Sequence, residues 1–555
     1  MDITIFYLAL FYGVAVSVIG YRVLQLVLPI FYAQASRFIT YPLLVQRSRW
    51  RSPTRLQAIL SFVFISGNLS VLLYPFSPLP EARSIQKRAA LAALINLLPV
   101  LVGRQILSLS TLPYISASSL ELVHHTLSIT IYVESLIHSI IVLSTKPSHN
   151  QSLVSGYIIF LALLLVPLPF LWPLKRLLSN ISLVLHHAFV FNLLSAIVWH
   201  MFSGLLLMPK IVVILHSVVA VIGFCIFVLR RTAIKRAAII KEVNYAENLI
   251  LVKVKTHKPV AIFPGCYFFL RLSEPRFRFA STLFDSDPRQ PFWYGQGEQL
   301  SPRNVQNLTF LLPSHKKHAK KLRYLEEDQR IDLSGPYGTD LQLHHYEDVL
   351  LVAKGNNLNG VLSYALSLCS RRNHDDNIRS SIQELQSEET NLLAEIEKLQ
   401  HQHQKLSITQ DQIKDRRALA LFNDKVRKVD LLWVIEETKQ ASWAAEAFQA
   451  LRKLDSKNKL IVVWCMYPDA HYPPMFDMFN TSSHWQSFHA GPSTTDALQS
   501  IDFRIRERQS TGRIAVACCG DTEFNGQVRK MVIRALENAR HIEFIEIENC
   551  SLDLR

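Results

Sequence analysis

The chain has 555 residues, 49% of them hydrophobic, and only 18 glycines, with a mean hydropathy of +0.17. It is long enough for several domains and too apolar to be wholly soluble. The net charge of +15 sits beside apolar runs and in "HKKHAKKLR", His315 to Arg323, without aromatic-basic interleaving, which points to a membrane-facing or solvated surface and no nucleic-acid partner. The seven cysteines are odd in number and scattered apart from Cys518 and Cys519, which excludes a disulfide framework and a zinc site.

Before Arg230, apolar runs recur near the length of about 20 residues that crosses a bilayer. Seven spans are expected, at about 5–30, 57–75, 89–108, 120–143, 153–173, 183–207 and 211–229. The first has Asp2 at its head and no basic start or cleavage site, so it is expected to remain as an anchor. Arginines at 37, 47, 49, 51 and 55, then Lys175 and Arg176, then Arg230, Arg231, Lys235, Arg236 and Lys241 mark the cytosolic side by the positive-inside rule. Arg83, Lys87 and Arg88 fall on the other side. Of the glycosylation triplets only Asn150-Gln151-Ser152 falls in an expected outer loop, which makes Asn150 the acceptor.

Two spans carry histidines in one layout. In each of "VHHTLSITIYVESLIHS" and "LHHAFVFNLLSAIVWHM" a His-His pair precedes an apolar run and one more His. His124 to His138 and His186 to His200 are both 14 residues apart. That step advances an α-helix by about 21 Å and brings the second side chain within about 40° of the first. The step of 13 from His125 or His187 leaves the partners roughly 140° out of line. One span separates the two helices, so they run parallel, with His124 level with His186 and His138 level with His200. Imidazole is a good iron ligand, and polar side chains are costly inside a membrane, so two stacked bis-histidine haem sites are expected, the His124/His186 site being the inner one.

After Lys241 the sequence turns polar. Residues 245–345 read as β-rich, with "NLILVKVKT" and "GCYFFLRL" as strands. From 347 the pattern becomes strand then helix: "DVLLVAKG" into "NGVLSYALSLCSRR", and later "VDLLWVIE", "KLIVVWCMY" and "RIAVACCG". Such alternation predicts a parallel sheet that binds its ligand at the turns after the strand ends. Residues 373–425 form an insertion in which Ile378, Ile382, Leu385, Leu392, Ile396, Leu399, Leu406 and Ile413 keep a heptad seam, broken at Glu389, His403 and Gln410. It is either an exposed helix or hairpin, or a coiled-coil site for a protein partner.

In its order of features the chain resembles a fungal ferric reductase, of the superfamily of ferric-chelate reductases and NADPH oxidases, over roughly 90–372 and 426–550. The resemblance rests on His124, His138, His186 and His200, on Gly335-Pro336-Tyr337-Gly338, and on Cys519-Gly520 followed by "QVRKMV". It implies two b-type haems on the four histidines, FAD at Pro291 and Phe292, and NADPH at Gly335, Pro336, Tyr337, Gly338, Gly355, Gly360, Cys519 and Gly520. Departures fall in the nucleotide half. Gln290 replaces the His of His-Pro-Phe, "AKGNNLNG" keeps only Gly355 and Gly360 of a glycine-rich turn, and Asp521 replaces the Pro after Cys-Gly. After the first haem histidine the family's usual Trp and Gly-Arg are also missing.

The expected fold is a multi-domain membrane protein. Membrane spans with an Arg-rich cytosolic loop fill 1–88, and an α-helical haem-binding bundle fills 89–230. A ferredoxin-reductase-like FAD-binding β-barrel follows at 245–345, then an α/β NADPH-binding domain at 346–555 carrying the insertion. The implied activity is NADPH-dependent transmembrane reduction of ferric or cupric chelates at the plasma membrane, with the FAD and NADPH domains cytosolic. The alternatives are a superoxide-producing NADPH oxidase and a degenerate haem-binding paralogue without turnover.

Overall fold

A computed structural model describes residues 36–42, 54–74, 80–108, 117–144, 150–170, 182–202, 214, 218, 221, 235–245, 249–272, 277–285, 293–296, 299–302, 304–313, 325–338, 340–396, 403–417, 421–436, 440–467, 483–489, 494–507, 512–536 and 541–547. The chain divides into two compact units, one of residues 1–32, 43–232 and 555, the other of 33–42 and 233–554.

The first unit holds five long helices among the described residues: α1 (Arg55–Leu73), α2 (Ala82–Ser108), α3 (Ala117–Ser144), α4 (Asn150–Leu165) and α5 (Ser182–Phe202). Asn150, the expected glycosylation acceptor, is the first residue of α4. The expected span 5–30 lies outside the described residues, and of 211–229 only Ile214, Val218 and Val221 are described. Thr54 starts α1 with a capping box: its hydroxyl accepts from Gln57 N at 3.3 Å, and its own N–H donates to Gln57 Oε1 at 2.9 Å. Two helical segments, Arg55–Leu73 and Leu122–Ser144, are long and apolar enough to cross a membrane by length and composition, and Val154–Leu165 is a shorter apolar helix. Their outward faces are apolar. Phe62 and Phe191 are each 71% exposed, and Ile129, Ile140 and Leu161 are exposed with them. Buried Asn96 on α2 joins three helices, donating to Asn68 Oδ1 on α1 at 2.9 Å and to Glu134 Oε2 on α3 at 3.0 Å.

The second unit opens with a closed barrel in the order β1-β2-β7-β4-β3-β8. Its strands are β1 (Lys235–Tyr245), β2 (Leu249–Ala261), β3 (Tyr267–Leu272), β4 (Phe277–Asp285), β7 (Asn304–Pro313) and β8 (Arg330–Tyr337), and β5 (Trp293–Gln296) pairs with β6 (Gln299–Pro302) as a separate ribbon. The barrel begins ten residues before the expected boundary at 245, because Lys235 to Lys241, read from sequence as a juxtamembrane basic tail, is part of β1. Ala238 and Ile240 point into the barrel core, and Lys241 pairs with Asp328 at 2.9 Å, so one strand carries both the charge and the burial.

The six-stranded sheet that follows has the order β12-β11-β10-β9-β13-β14, every pair parallel. It is built from β9 (Asp348–Lys354), β10 (Lys428–Val434), β11 (Ile461–Tyr467), β12 (Trp485–His489), β13 (Ile514–Cys519) and β14 (Ile542–Glu546). Strands β9, β10, β11 and β13 are buried on both faces, as their continuous apolar runs require. One face, with Val349 and Leu351, packs with α6 (Leu358–Ile396) and α8 (Gln440–Leu454); the other, with Leu350 and Val352, packs with α9 (Thr494–Glu507) and α10 (Thr522–Ala535). Residues 36–42 belong to this unit: Tyr41 is buried edge-on against Phe544, and its hydroxyl accepts from Phe544 N at 3.0 Å.

No glycine or proline interrupts the chain between 361 and 396, so α6 runs without a break into the insertion. It returns as α7 (His403–Arg417), a helical hairpin. Ile378, Leu392 and Ile413 of the seam are buried in it, and two of its polar breaks meet, Gln410 donating to Glu389 at 2.9 Å. At its base Asp375 accepts from the backbone N–H groups of Phe422 and Asn423, each at 2.9 Å, and buried Arg371 grips Asp424 with Nε at 2.7 Å.

Candidate functional site

The four histidines of the sequence pattern lie on α3 and α5, half-buried, whereas His125 and His187 on the same helices are exposed. The Nδ1–H of His138 faces the carbonyl of Gln86 at 3.0 Å, that of His186 faces the carbonyl of Val166 at 3.2 Å, and His200 Nδ1 meets the buried Ser155 hydroxyl at 2.8 Å. A carbonyl only accepts, so His138 and His186 carry their proton on Nδ1 and keep the lone pair on Nε2. Metal-ligating histidines are oriented in this way, the second ring nitrogen donating to a carbonyl or other acceptor. The bonds also fix direction. Ser155 near the start of α4 meets His200 near the end of α5, and Val166 just past α4 meets His186 near the start of α5, so the two helices are antiparallel.

Midway between its two histidines each helix contributes apolar side chains, on α3 beside buried Thr130 and Glu134. Ile131 of α3 packs in one cluster with Leu194 and Ile197 of α5, and Tyr132 of α3 in another with Leu193 and Ile197. The histidines therefore fall on either side of a shared apolar layer. No cluster of three or more His, Cys, Asp or Glu able to hold a metal ion occurs among the described residues, and a haem iron held by two histidines requires none.

The other candidate edge lies at the carboxyl ends of the parallel strands. Gly355 follows β9 with a φ of +57°, a left-handed conformation that a side chain resists, and its carbonyl accepts from the Trp433 indole at 2.9 Å. The chain then makes one turn of 3-10 helix, Gly355–Asn357, before α6 begins at Leu358. Asn356 and Asn359 each turn a buried amide oxygen into this first turn with no hydrogen-bond partner. Gly360 lies inside the helix, and a Cβ there would strike the Cys519 sulfur, so this glycine permits close packing of helix on strand. Cys519 is fully buried, and burial, with Glu546 adding to it, pushes its thiol up to about 12. Gly520 leads into Asp521, the N-cap of α10, whose Oδ1 accepts from Phe524 N at 2.8 Å. Asp521 is thus a strong helix start, an N-cap whose side chain satisfies one of the first free N–H groups.

Asp521 also reaches Lys354, the last residue of β9, with Nζ to Oδ2 at 2.6 Å, and Lys354 lies 3.6 Å from Glu436, just beyond β10. Burial draws the Lys354 ammonium down, but Asp521 and Glu436 outweigh it and hold its pKa above the usual lysine value. Burial raises Asp521, and the bonds from Lys354 and Phe524 N outweigh it and leave its pKa lowered. Lys354, Trp433 and Glu436 carry no motif of their own, and only the order of strands brings them together.

Gly335 to Gly338 close the barrel at the end of β8. Gly335 (φ +147°) and Gly338 (φ +105°) bring the backbone against Tyr267, Phe268 and the Gly265 carbonyl, where side chains would intrude. Pro336 sits between them, and Tyr337 pairs with Tyr267 across the strands. Gly265 N in turn donates to Ser363 in the second turn of α6 at 2.9 Å, so this segment lies where barrel and sheet join. Pro291 and Phe292 lie outside the described residues.

No family model matches the chain, and no curated protein does. Among solved structures it is similar to a flavohemoglobin from Malassezia yamatoensis with bound FAD and heme, at 12% identity over 83% of this chain and 97% of that one, TM-score 0.35. It is similar to a ferredoxin NADP+ reductase from Neisseria gonorrhoeae with bound FAD and NADP, at 10% identity over 57% of this chain and 99% of that one, TM-score 0.33. A ferredoxin reductase in carbazole 1,9a-dioxygenase matches at 14% identity over 57% and 69%, TM-score 0.30. At such scores these likenesses add nothing to the strand order, on which the architecture rests.

Proposed function

We propose that this protein is a membrane-embedded oxidoreductase that moves electrons from cytosolic NADPH through FAD and two b-type haems to ferric or cupric chelates on the outer side, a ferric reductase of the plasma membrane. The observation that carries the reading is the set of three Nδ1-anchored histidines on two helices that share an apolar layer. When bound, FAD supplies the step from a hydride pair to single electrons, and haem iron carries those electrons one at a time.

The chain's own residues would do the rest. His124, His138, His186 and His200 would hold the haem irons, with Gln86, Val166 and Ser155 meeting the rings of His138, His186 and His200 in turn. Ile131, Leu193, Leu194 and Ile197 would exclude water between the two levels. The exposed apolar faces of α1, α3, α4 and α5 fit a bilayer better than water, since soluble monomers rarely present large apolar patches. The barrel followed by a parallel sheet supports a flavin and nicotinamide module, with Gly335 to Gly338 at its junction. Pro291 and Phe292 would face the flavin, and the turn from Gly355 to Gly360, with Cys519 and Gly520, would face NADPH.

One observation favours a second reading, a haem-binding paralogue without turnover: acidic Glu436 and Asp521 line the edge where NADPH would lie. The test is NADPH-driven Fe(II) formation and oxygen uptake in one membrane preparation. Fe(II) formation without matching oxygen uptake is the expected result. Oxygen uptake alone would replace the chelate by oxygen, as in an NADPH oxidase, and neither would favour the paralogue.

A further inference from the structure

Three neighbouring strands end in charge. In the sheet β9 lies between β10 and β13, and at the carboxyl edge these strands lead into Lys354, Glu436 and Asp521. The one ammonium is engaged by both carboxylates, which leaves the three side chains with a net negative charge. Glu436 does more than pair with Lys354. One oxygen, Oε1, faces Lys354 Nζ, while the other, Oε2, lies over Gly355, where a Cβ would run into it.

Gly355 opens the turn into α6, and the unsatisfied N–H groups of such a turn favour an anion. The Glu436 carboxylate lies over the glycine that opens this turn. Its backbone is fixed as well, since Glu436 N donates to Gln440 at the head of α8 at 3.0 Å, while the side chain keeps 48% of its surface exposed. It is thus held at its root and able to swing at its tip.

We infer that Glu436 is a resident anion on the phosphate position of the Gly355 turn, a specificity-determining residue that a dinucleotide must displace before its pyrophosphate can reach the backbone. The inference rests on the NADPH reading of this edge and deepens it. A pyrophosphate arriving beside an unmoved Glu436 meets like charge at close range, and Lys354, the cation beside Glu436, is already held by Asp521. Neutralising Glu436 keeps its shape and removes the competitor.

The test is calorimetric binding of NADP+ and of inorganic pyrophosphate, as separate probes, to the full chain purified in detergent, for wild type and Glu436→Gln, with a melting curve to check folding. Glu436→Gln is expected to tighten both by about tenfold or more. A gain for pyrophosphate without one for NADP+ upholds the resident anion and counts against the NADPH reading. Unchanged or weaker binding of both probes overturns the inference, while tight NADP+ binding in both proteins would leave the NADPH reading standing. Failure of both probes to bind the folded variant also overturns it.

Discussion

A single hydroxyl decides how one histidine is presented. Ser155 is fully buried and its Oγ lies 2.8 Å from His200 Nδ1, so Ser155→Ala removes this bond from the ring. Loss of such an outer partner weakens metal holding by about 10–100-fold, so the variant is expected to release one of two haems on dilution, read as haem per chain by visible absorbance. His187→Ala, on the exposed side of α5, is expected to leave the spectrum intact. Asp521 gives a pH-dependent counterpart. Its folded pKa lies below the ordinary 3.8, so the folded state binds fewer protons than the unfolded chain in that window. The stabilisation is full above the unfolded value and is lost as pH falls through the folded one. Asp521→Asn keeps an N-cap and loses the Lys354 charge, so its melting temperature should vary less with pH below about 4 than that of the wild type. The spacing of the histidines was legible because a period of 14 belongs to the helix itself. Their anchors were not, since Gln86 and Val166 act through backbone carbonyls, which no side-chain pattern records.

At the scale of elements, strands at 348–354, 428–434, 461–467 and 514–519 could be read directly, because both faces of a parallel sheet are buried and the runs are apolar throughout. β1 was hidden by Lys235, Arg236 and Lys241, which read as a basic tail, although Ala238 and Ile240 of the same strand are buried in the barrel. In the insertion the heptad seam was visible but its partner was not. The hairpin closes Leu392 and Ile413 inside, pairs Glu389 with Gln410, and exposes Leu393 and Ile408. Its base is tied to the sheet domain by Arg371 and Asp375, so replacing 381–418 by a Gly/Ser linker is expected to spare both haem and flavin content, measured by absorbance of the purified protein. Arg371→Ala should behave differently. It strands buried Asp424 without its cation, at a cost of about 3–5 kcal/mol, seen as a lower denaturant midpoint.

Across the whole molecule, the unit with the histidine helices supplies the proposed path for electrons, and the unit with the barrel and sheet supplies their proposed entry. The first carries the histidines proposed as iron ligands, three of them hydrogen-bonded at Nδ1. The second has a closed barrel followed by a parallel sheet, proposed to hold flavin and nicotinamide, yet keeps Glu436 and Asp521 on the edge its nucleotide would use. Entry is therefore expected to be slow or weak relative to transfer between haems, and an NADPH titration should saturate late. The most direct measurement is the anaerobic visible spectrum of the purified full chain, with FAD confirmed present, before and after NADPH. The account predicts two six-coordinate haems per chain that pass to the reduced form on adding NADPH. Purified protein that retains no haem, or haem that stays oxidised while the flavin is reduced, would contradict it.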